Sequence, residues 1–196
     1  MEEQLSLLEP PIPLPKKYRL FLGIFPDAEA VDLICDRQTI LRHEFGLRGK
    51  SRPREILHMT LHHVADYSEM PEREIKVIEE ACTAAFAGQS SLEMIFDHVK
   101  SFKGRPGNQP FVLVNPNENQ PLMELHHRLI IELAKRKLAS KGDFNFVPHV
   151  TLLYDSKSVT EQPVAPITWR AHEVVLVLSH LGETRYDRIG SWTLSE

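Results

Sequence analysis

Two stretches, Glu55-Ile-Leu-His-Met-Thr-Leu61 and Phe146-Val-Pro-His-Val-Thr-Leu152, decide how this chain is read. Each has the β-branched and apolar content of a strand, and the predicted strands span residues 56–64 and 147–154. Along a strand, side chains alternate faces and rise about 3.3 Å per residue, so a His and a Thr two positions apart point the same way, about 6 to 7 Å apart. The two His-x-Thr motifs begin at His58 and His149, so each falls in one half of the folded chain. With ten His and eight Thr in 196 residues, chance supplies about 0.4 such motifs. Two, both in strands and both followed by leucine, exceed that expectation.

The surrounding pattern alternates strand and helix. Tyr18 to Phe25 is an apolar strand closed by Pro26, and Asp27 is placed to cap a helix whose stripe is Val31, Ile34, Cys35, Leu41 and Phe45, ending at Gly46. Pro71 opens a second helix through Ile75, Ile78, Cys82, Ala85 and Phe86, and Ser91 to Phe102 is a further strand. The second half repeats the theme, with a strand at Phe111 to Val114 and a helix opened by Pro121 carrying Leu122, Leu125, Leu129 and Leu133. After the second motif strand come a strand at Glu173 to Ser179, a turn near Gly182 and a closing segment around Trp192. Residues 1–16 hold Pro10-Pro-Ile-Pro-Leu-Pro15, which favours extended polyproline conformation, so they are expected to form an arm before a single two-lobed domain over residues 17–196.

Composition narrows the function classes. Hydrophobic residues make up 42% of the chain, enough for a sizeable core, and 23 basic against 27 acidic residues give a formal charge of -4. That balance lacks the basic field that drives sequence-independent binding along a nucleic-acid backbone. Two cysteines, both in predicted helices, do not make a disulfide framework, and no segment approaches the roughly 18 apolar residues that span a bilayer. A cytoplasmic, monomeric protein without membrane contact is expected.

Two His-x-Thr pairs facing one another would offer a phosphate a general base, a general acid and two neutral hydroxyl donors. Histidine suits the task because its ordinary pKa, about 6.5, allows one ring neutral and one charged near pH 7. His62 shares the face of His58 and Thr60 by alternation and is a candidate substrate contact, whereas His63 should point away. His58 and His62 do not make a zinc pair, because four strand residues separate them by about 13 Å. Phe21 is a candidate for stacking on a nucleobase, with core packing the competing reading. Arg48 to Arg54 carries four basic residues and is either a guide for phosphates or a solvated loop. His98, His126, His127, His172 and His180 are assigned to ordinary packing or solvent.

The paired motifs, with Arg19-Leu-Phe-Leu-Gly-Ile-Phe-Pro-Asp27 as opening strand, resemble the two-histidine phosphoesterase superfamily, in its bacterial 2′-5′ RNA ligase and RNA 2′,3′-cyclic phosphodiesterase branch. The resemblance runs from about Tyr18 to Leu194. It implies a bilobal α+β fold with a pseudo-twofold axis, antiparallel sheets forming a central cleft, and helices outside. It further implies His149 as base, His58 as acid, Thr60 and Thr151 on the phosphate, no metal or other cofactor, and RNA ends or nucleotide cyclic phosphates as substrate. The chain departs from the family at His63, where many relatives carry an aromatic, and near Tyr154, where many carry an arginine. Tyr154 and Arg185 are therefore candidate substrate contacts, with Arg105, Lys50, Arg52 and Arg54 as other sources of the missing charge. Two alternatives stay open on sequence alone, a cyclic phosphodiesterase of small nucleotides and a non-catalytic module that binds RNA ends.

Overall fold

The computed structural model describes residues 14–117 and 119–196; most of the proline-rich arm expected over 1–16 lies outside the described residues. In chain order the elements are β1 (Tyr18–Ile24), α1 (Ala28–Glu44), β2 (Met59–Tyr67), α2 (Glu72–Phe86), β3 (Leu92–Ser101), β4 (Gln109–Val114), α3 (Gln120–Lys135), β5 (His149–Asp155), β6 (Gln162–Ala171), β7 (Glu173–His180) and β8 (Arg185–Thr193).

Local chemistry sets the helix ends. The Asp27 carboxylate accepts from the Ala30 N–H at 2.8 Å to start α1, and Gly46, at a φ of 60°, follows its last turn. The Asn119 side chain accepts from the Leu122 N–H at 3.2 Å and Pro121 occupies the first turn of α3. Ile34 and Leu41 of α1, Ile78 and Cys82 of α2, and Leu125 and Leu129 of α3 all enter one continuous core. The alternate residues Leu20, Leu22 and Ile24 of β1, with Met59, Leu61, Val150 and Leu152, meet them from the sheet. All three helices therefore cover one face, and the other face is left to the residues between.

The strands form one antiparallel sheet in the order β6-β3-β4-β5-β2-β1-β7-β8. It is an α+β fold of two four-stranded halves whose central strands, β5 and β2, share a single register pair, Met59 with Val150. These halves do not follow the halves of the chain: β3 pairs with β4 and β6 in the second lobe, and β7 and β8 return to β1 in the first. β6 was not anticipated from the sequence; it contains Pro163 and Pro166, and as an edge strand it tolerates the missing donors.

Candidate active site

The middle residues of the two His-x-Thr motifs, Met59 and Val150, are the pair that joins the lobes, and both are fully buried on the helix-covered face. One antiparallel step either way brings His58 alongside Thr151 and Thr60 alongside His149, on the opposite face. All four line a pocket of about 350 Å³. His58 stands just before β2 rather than within it, after a 3₁₀ turn at Arg54–Ile56.

The two imidazoles are held alike. His58 Nδ1–H donates to the carbonyl of Ile56 at 2.8 Å and His149 Nδ1–H to that of Val147 at 2.7 Å, each two residues upstream. A carbonyl only accepts, so each neutral ring carries its proton on Nδ1 and keeps an Nε2 lone pair for chemistry. The Thr60 hydroxyl lies 3.1 Å from His58 Nε2. Burial pushes His58 down to about 4, against the Ile56 carbonyl, which favours the charged ring; the nearby Arg52 and His149 lower it further. Burial also lowers His149, again opposed by its backbone carbonyl.

Aromatic side chains wall the pocket beside His58. The Phe21 ring lies 4.7 Å from the His58 ring, and Tyr186 approaches both. Phe21 packs with Val175 and Val177 on the face away from the helices, and a Cβ on Gly23 would press on its ring at 3.1 Å. Tyr154 completes the wall and is 42% exposed, which leaves its ring free to meet a ligand.

Cationic groups come from two places. Arg19 is clamped in a bidentate pair with Asp66 at 2.7 and 2.8 Å, and His63 reaches the same carboxylate at 3.1 Å. The hydrogen bond from Arg19 holds Asp66 down at about 2. Arg52 meets no carboxylate among the described residues and lies 3.4 Å from the Tyr186 hydroxyl. Its loop is built onto β5. The Asp155 carboxylate accepts from the N–H groups of Arg48 and Gly49, both at 2.6 Å, and the Arg52 N–H donates to the Leu152 carbonyl at 2.8 Å. Gly49 is required there, because a Cβ would collide with the Tyr154 carbonyl.

Of the residues anticipated from sequence, His58, Thr60, His149, Thr151, Phe21, Tyr154 and Arg52 are brought together. His62 and Arg185 are not. β2 shifts register against β1 between the pairs Leu22–His62 and Gly23–Thr60, and this bulge breaks the alternation on which His62 was placed. His63 lines the pocket instead, and His62 turns into a neighbouring one. Arg185 pairs with Asp187 at the start of β8, and Arg54 is taken by Asp32. Arg105 closes the turn before β4, and neither it nor Lys50 lines the pocket. Arg19 and Tyr186 were missed. Arg19 was legible, since it lies two residues from Phe21 on the same strand face; Tyr186 carries no local signal. Among the described residues no group of three or more His, Cys, Asp or Glu is arranged to hold a metal ion.

Comparison with known proteins agrees with this architecture. The apo crystal structure of Escherichia coli LigT superposes with a TM-score of 0.70 at 22% identity, covering 93% of this chain and all of that one. A crystal structure described as a phosphoesterase gives 0.72 at 21% identity, with the same coverage. The Thermus thermophilus protein TT0787 gives 0.64 at 21% identity, covering 90% of this chain and 97% of that one. Among curated proteins none matches. The family model of the 2′-5′ RNA ligase superfamily matches residues 34–183, from within α1 to the turn before β8 and so across both motifs. The chain belongs to the 2′-5′ RNA ligase superfamily of two-histidine phosphoesterases.

Proposed function

We propose that this protein hydrolyses a phosphodiester on a ribose 2′ oxygen, as an RNA 2′,3′-cyclic phosphodiesterase or on a 2′-5′ linkage, with reversal giving ligation. The observation that carries the reading is the convergence of His58, Thr60, His149 and Thr151 in one pocket, set by the Met59–Val150 pair. Escherichia coli LigT, which shares the fold, has crystal structures with phosphate and with 3′-AMP, ligands of the class this pocket suits.

In the hydrolytic direction, His149 takes a proton from water as the water oxygen bonds to phosphorus. His58 gives its proton to the ribose oxygen as the P–O bond to that oxygen breaks. Thr60 and Thr151 donate to the non-bridging oxygens, and Arg52 supplies positive charge at the rim. Both rings are mainly neutral in the free pocket at pH 7, so a bound phosphate anion, by raising the pKa of the ring beside it, is what charges the acid. In ligation the two rings exchange roles.

The test is to incubate chelator-treated protein with a nucleoside 2′,3′-cyclic phosphate and with a short RNA ending in that group. His58→Ala and His149→Ala should each lose about 10²- to 10⁴-fold in kcat while keeping the wild-type circular dichroism. An active His58→Ala protein would sink the assignment.

A further inference from the structure

Arg19, Asp66 and His63 take no part in the acid and base steps, yet Arg19 and His63 line the same pocket as the two motifs. In the register of β1 against β2, Gly23 stands opposite Thr60, Phe21 opposite His63, and Arg19 opposite Asp66. Four residues of β1 separate the first level from the third, about 13 Å along the strand. Phe21 and Tyr186, their rings 5.3 Å apart, fill the interval with aromatic surface. The pocket thus has two ends, one at the His-x-Thr motifs and a second, cationic one at Arg19.

The second end is built to present donors. The Asp66 carboxylate accepts from Nε and Nη2 of Arg19 at 2.7 and 2.8 Å, and the same hydrogen bonding keeps it ionised. A guanidinium has five N–H donors, so three remain after the clamp. The carboxylate itself stands outside the pocket. The lining holds Arg19, Arg52 and three histidines and, among the described residues, no Asp or Glu. His63 Nε2–H donates to Asp66 at 3.1 Å, which fixes its ring beside the arginine, and the bulge in β2 is what turns it inward.

These cations exceed what one cyclic phosphate needs, since its single charge is met by the motifs and Arg52. Nor do they belong to a general basic field, because the chain carries a formal charge of -4. A terminal phosphate brings about 1.5 to 2 negative charges and three acceptor oxygens, the group a planar arginine fork recognises best. A pocket of about 350 Å³ lies at the small end of small-molecule sites, the size of one nucleotide rather than of a chain. We propose that Arg19 and His63, braced by Asp66, bind a second phosphate, a phosphomonoester on the 5′ oxygen of the nucleoside whose cyclic phosphate is opened, so that the preferred substrate is a doubly phosphorylated mononucleotide. This rests on the phosphoesterase reading above and narrows it. Arg19 is then a binding residue and Asp66 a positioning residue.

The experiment compares adenosine 2′,3′-cyclic phosphate, its 5′-phosphorylated form and the dinucleotide ApA ending in the same cyclic group. Wild type, Arg19→Gln, Arg19→Lys and Asp66→Asn are assayed on each, with melting temperatures alongside. Wild type should favour the 5′-phosphorylated mononucleotide over the 5′-hydroxyl one by about ten- to a hundredfold in kcat/KM, through KM, as hydrogen bonds to a charged group do. Arg19→Gln should bring that ratio close to one. Arg19→Lys, which keeps the charge without the fork, and Asp66→Asn, which frees the fork, should each lower it without abolishing it. Should Arg19→Gln melt early, the other two variants decide by the same ratio. No preference in wild type, or a preference untouched by the variants, would overturn the proposal. So would a dinucleotide preferred as strongly as the 5′-monoester, since its inner phosphate is a diester. If wild type turns over none of the three, the phosphoesterase reading fails on its own. The subsite is then decided by calorimetric titration with adenosine 2′,5′-bisphosphate and adenosine 2′-phosphate: tighter binding of the bisphosphate that Arg19→Gln abolishes keeps the second site, and equal affinities remove it.

Discussion

At the scale of single residues, the two histidines make a claim about pH. On the proposed mechanism the productive free protein carries one charged and one neutral ring, and kcat/KM follows the population of that state. Burial pushes His58 down to about 4 and holds His149 below its ordinary 6.5, so the singly charged state has already given way to two neutral rings by pH 6.5 and is scarce above it. A cyclic phosphate diester keeps its single negative charge over this range. We therefore expect kcat/KM on a 2′,3′-cyclic phosphate to peak on the acid side of pH 6.5 and to fall as pH rises past it; a plateau extending beyond pH 8 contradicts the arrangement. That these two histidines share one pocket was legible because their motif occurs twice in matching contexts. His62 was misplaced because a bulge is a property of two strands together, and nothing in Leu61-His-His63 announces that β1 will skip a partner there.

At the scale of elements, the basic loop between α1 and β2 is the part whose role sequence left open. Its four charges suggested phosphate steering or solvent, and the structure divides them: Arg54 goes to Asp32, while Arg52 is held at the pocket by hydrogen bonds to β5 and by the Gln38 side chain, which accepts from its N–H at 3.0 Å. The clamp depends on Gly49 lying against the backbone of Tyr154. Gly49→Ala should lift the loop off β5, cost about 1 to 3 kcal/mol as overpacking does, and raise KM by displacing Arg52. Gly142→Ala, where the nearest atom a Cβ would meet is 3.8 Å away, serves as control and should melt close to wild type. Thermal melts and steady-state kinetics on the two variants check this, and an unshifted Gly49→Ala protein would mean the loop is not clamped. β6, left unassigned in the sequence, carries Pro163 and Pro166, which disfavour a central strand, and only the sheet order shows that it sits at an edge where their missing N–H groups go unneeded.

At the scale of the whole molecule, the repeat in sequence is not a repeat of independent folding units. The first lobe takes β1 and β2 from the start of the chain and β7 and β8 from its end, and Trp192 of β8 donates to Thr83 of α2 at 3.0 Å. The second lobe takes β3 from before the chain's midpoint, and α1, from the N-terminal half, packs on β5 and β6. A fragment comprising residues 1–104 would lack both the partner of β1 on its outer side and the partners of β3. It should show no cooperative thermal unfolding transition and poorly dispersed amide NMR signals; a stably folded fragment would refute the interleaved description. The sequence showed where the motifs recur, but its halves hid this exchange because pairing between distant strands leaves no periodicity to read. The Met59–Val150 pair then has a consequence for how such a protein can change. Two buried apolar residues on the helix-covered side of the sheet form the register pair that sets His58 and His149 across from one another. A lineage could shift the spacing of the two motifs by exchanging one core methyl for another, leaving His58, Thr60, His149 and Thr151 untouched.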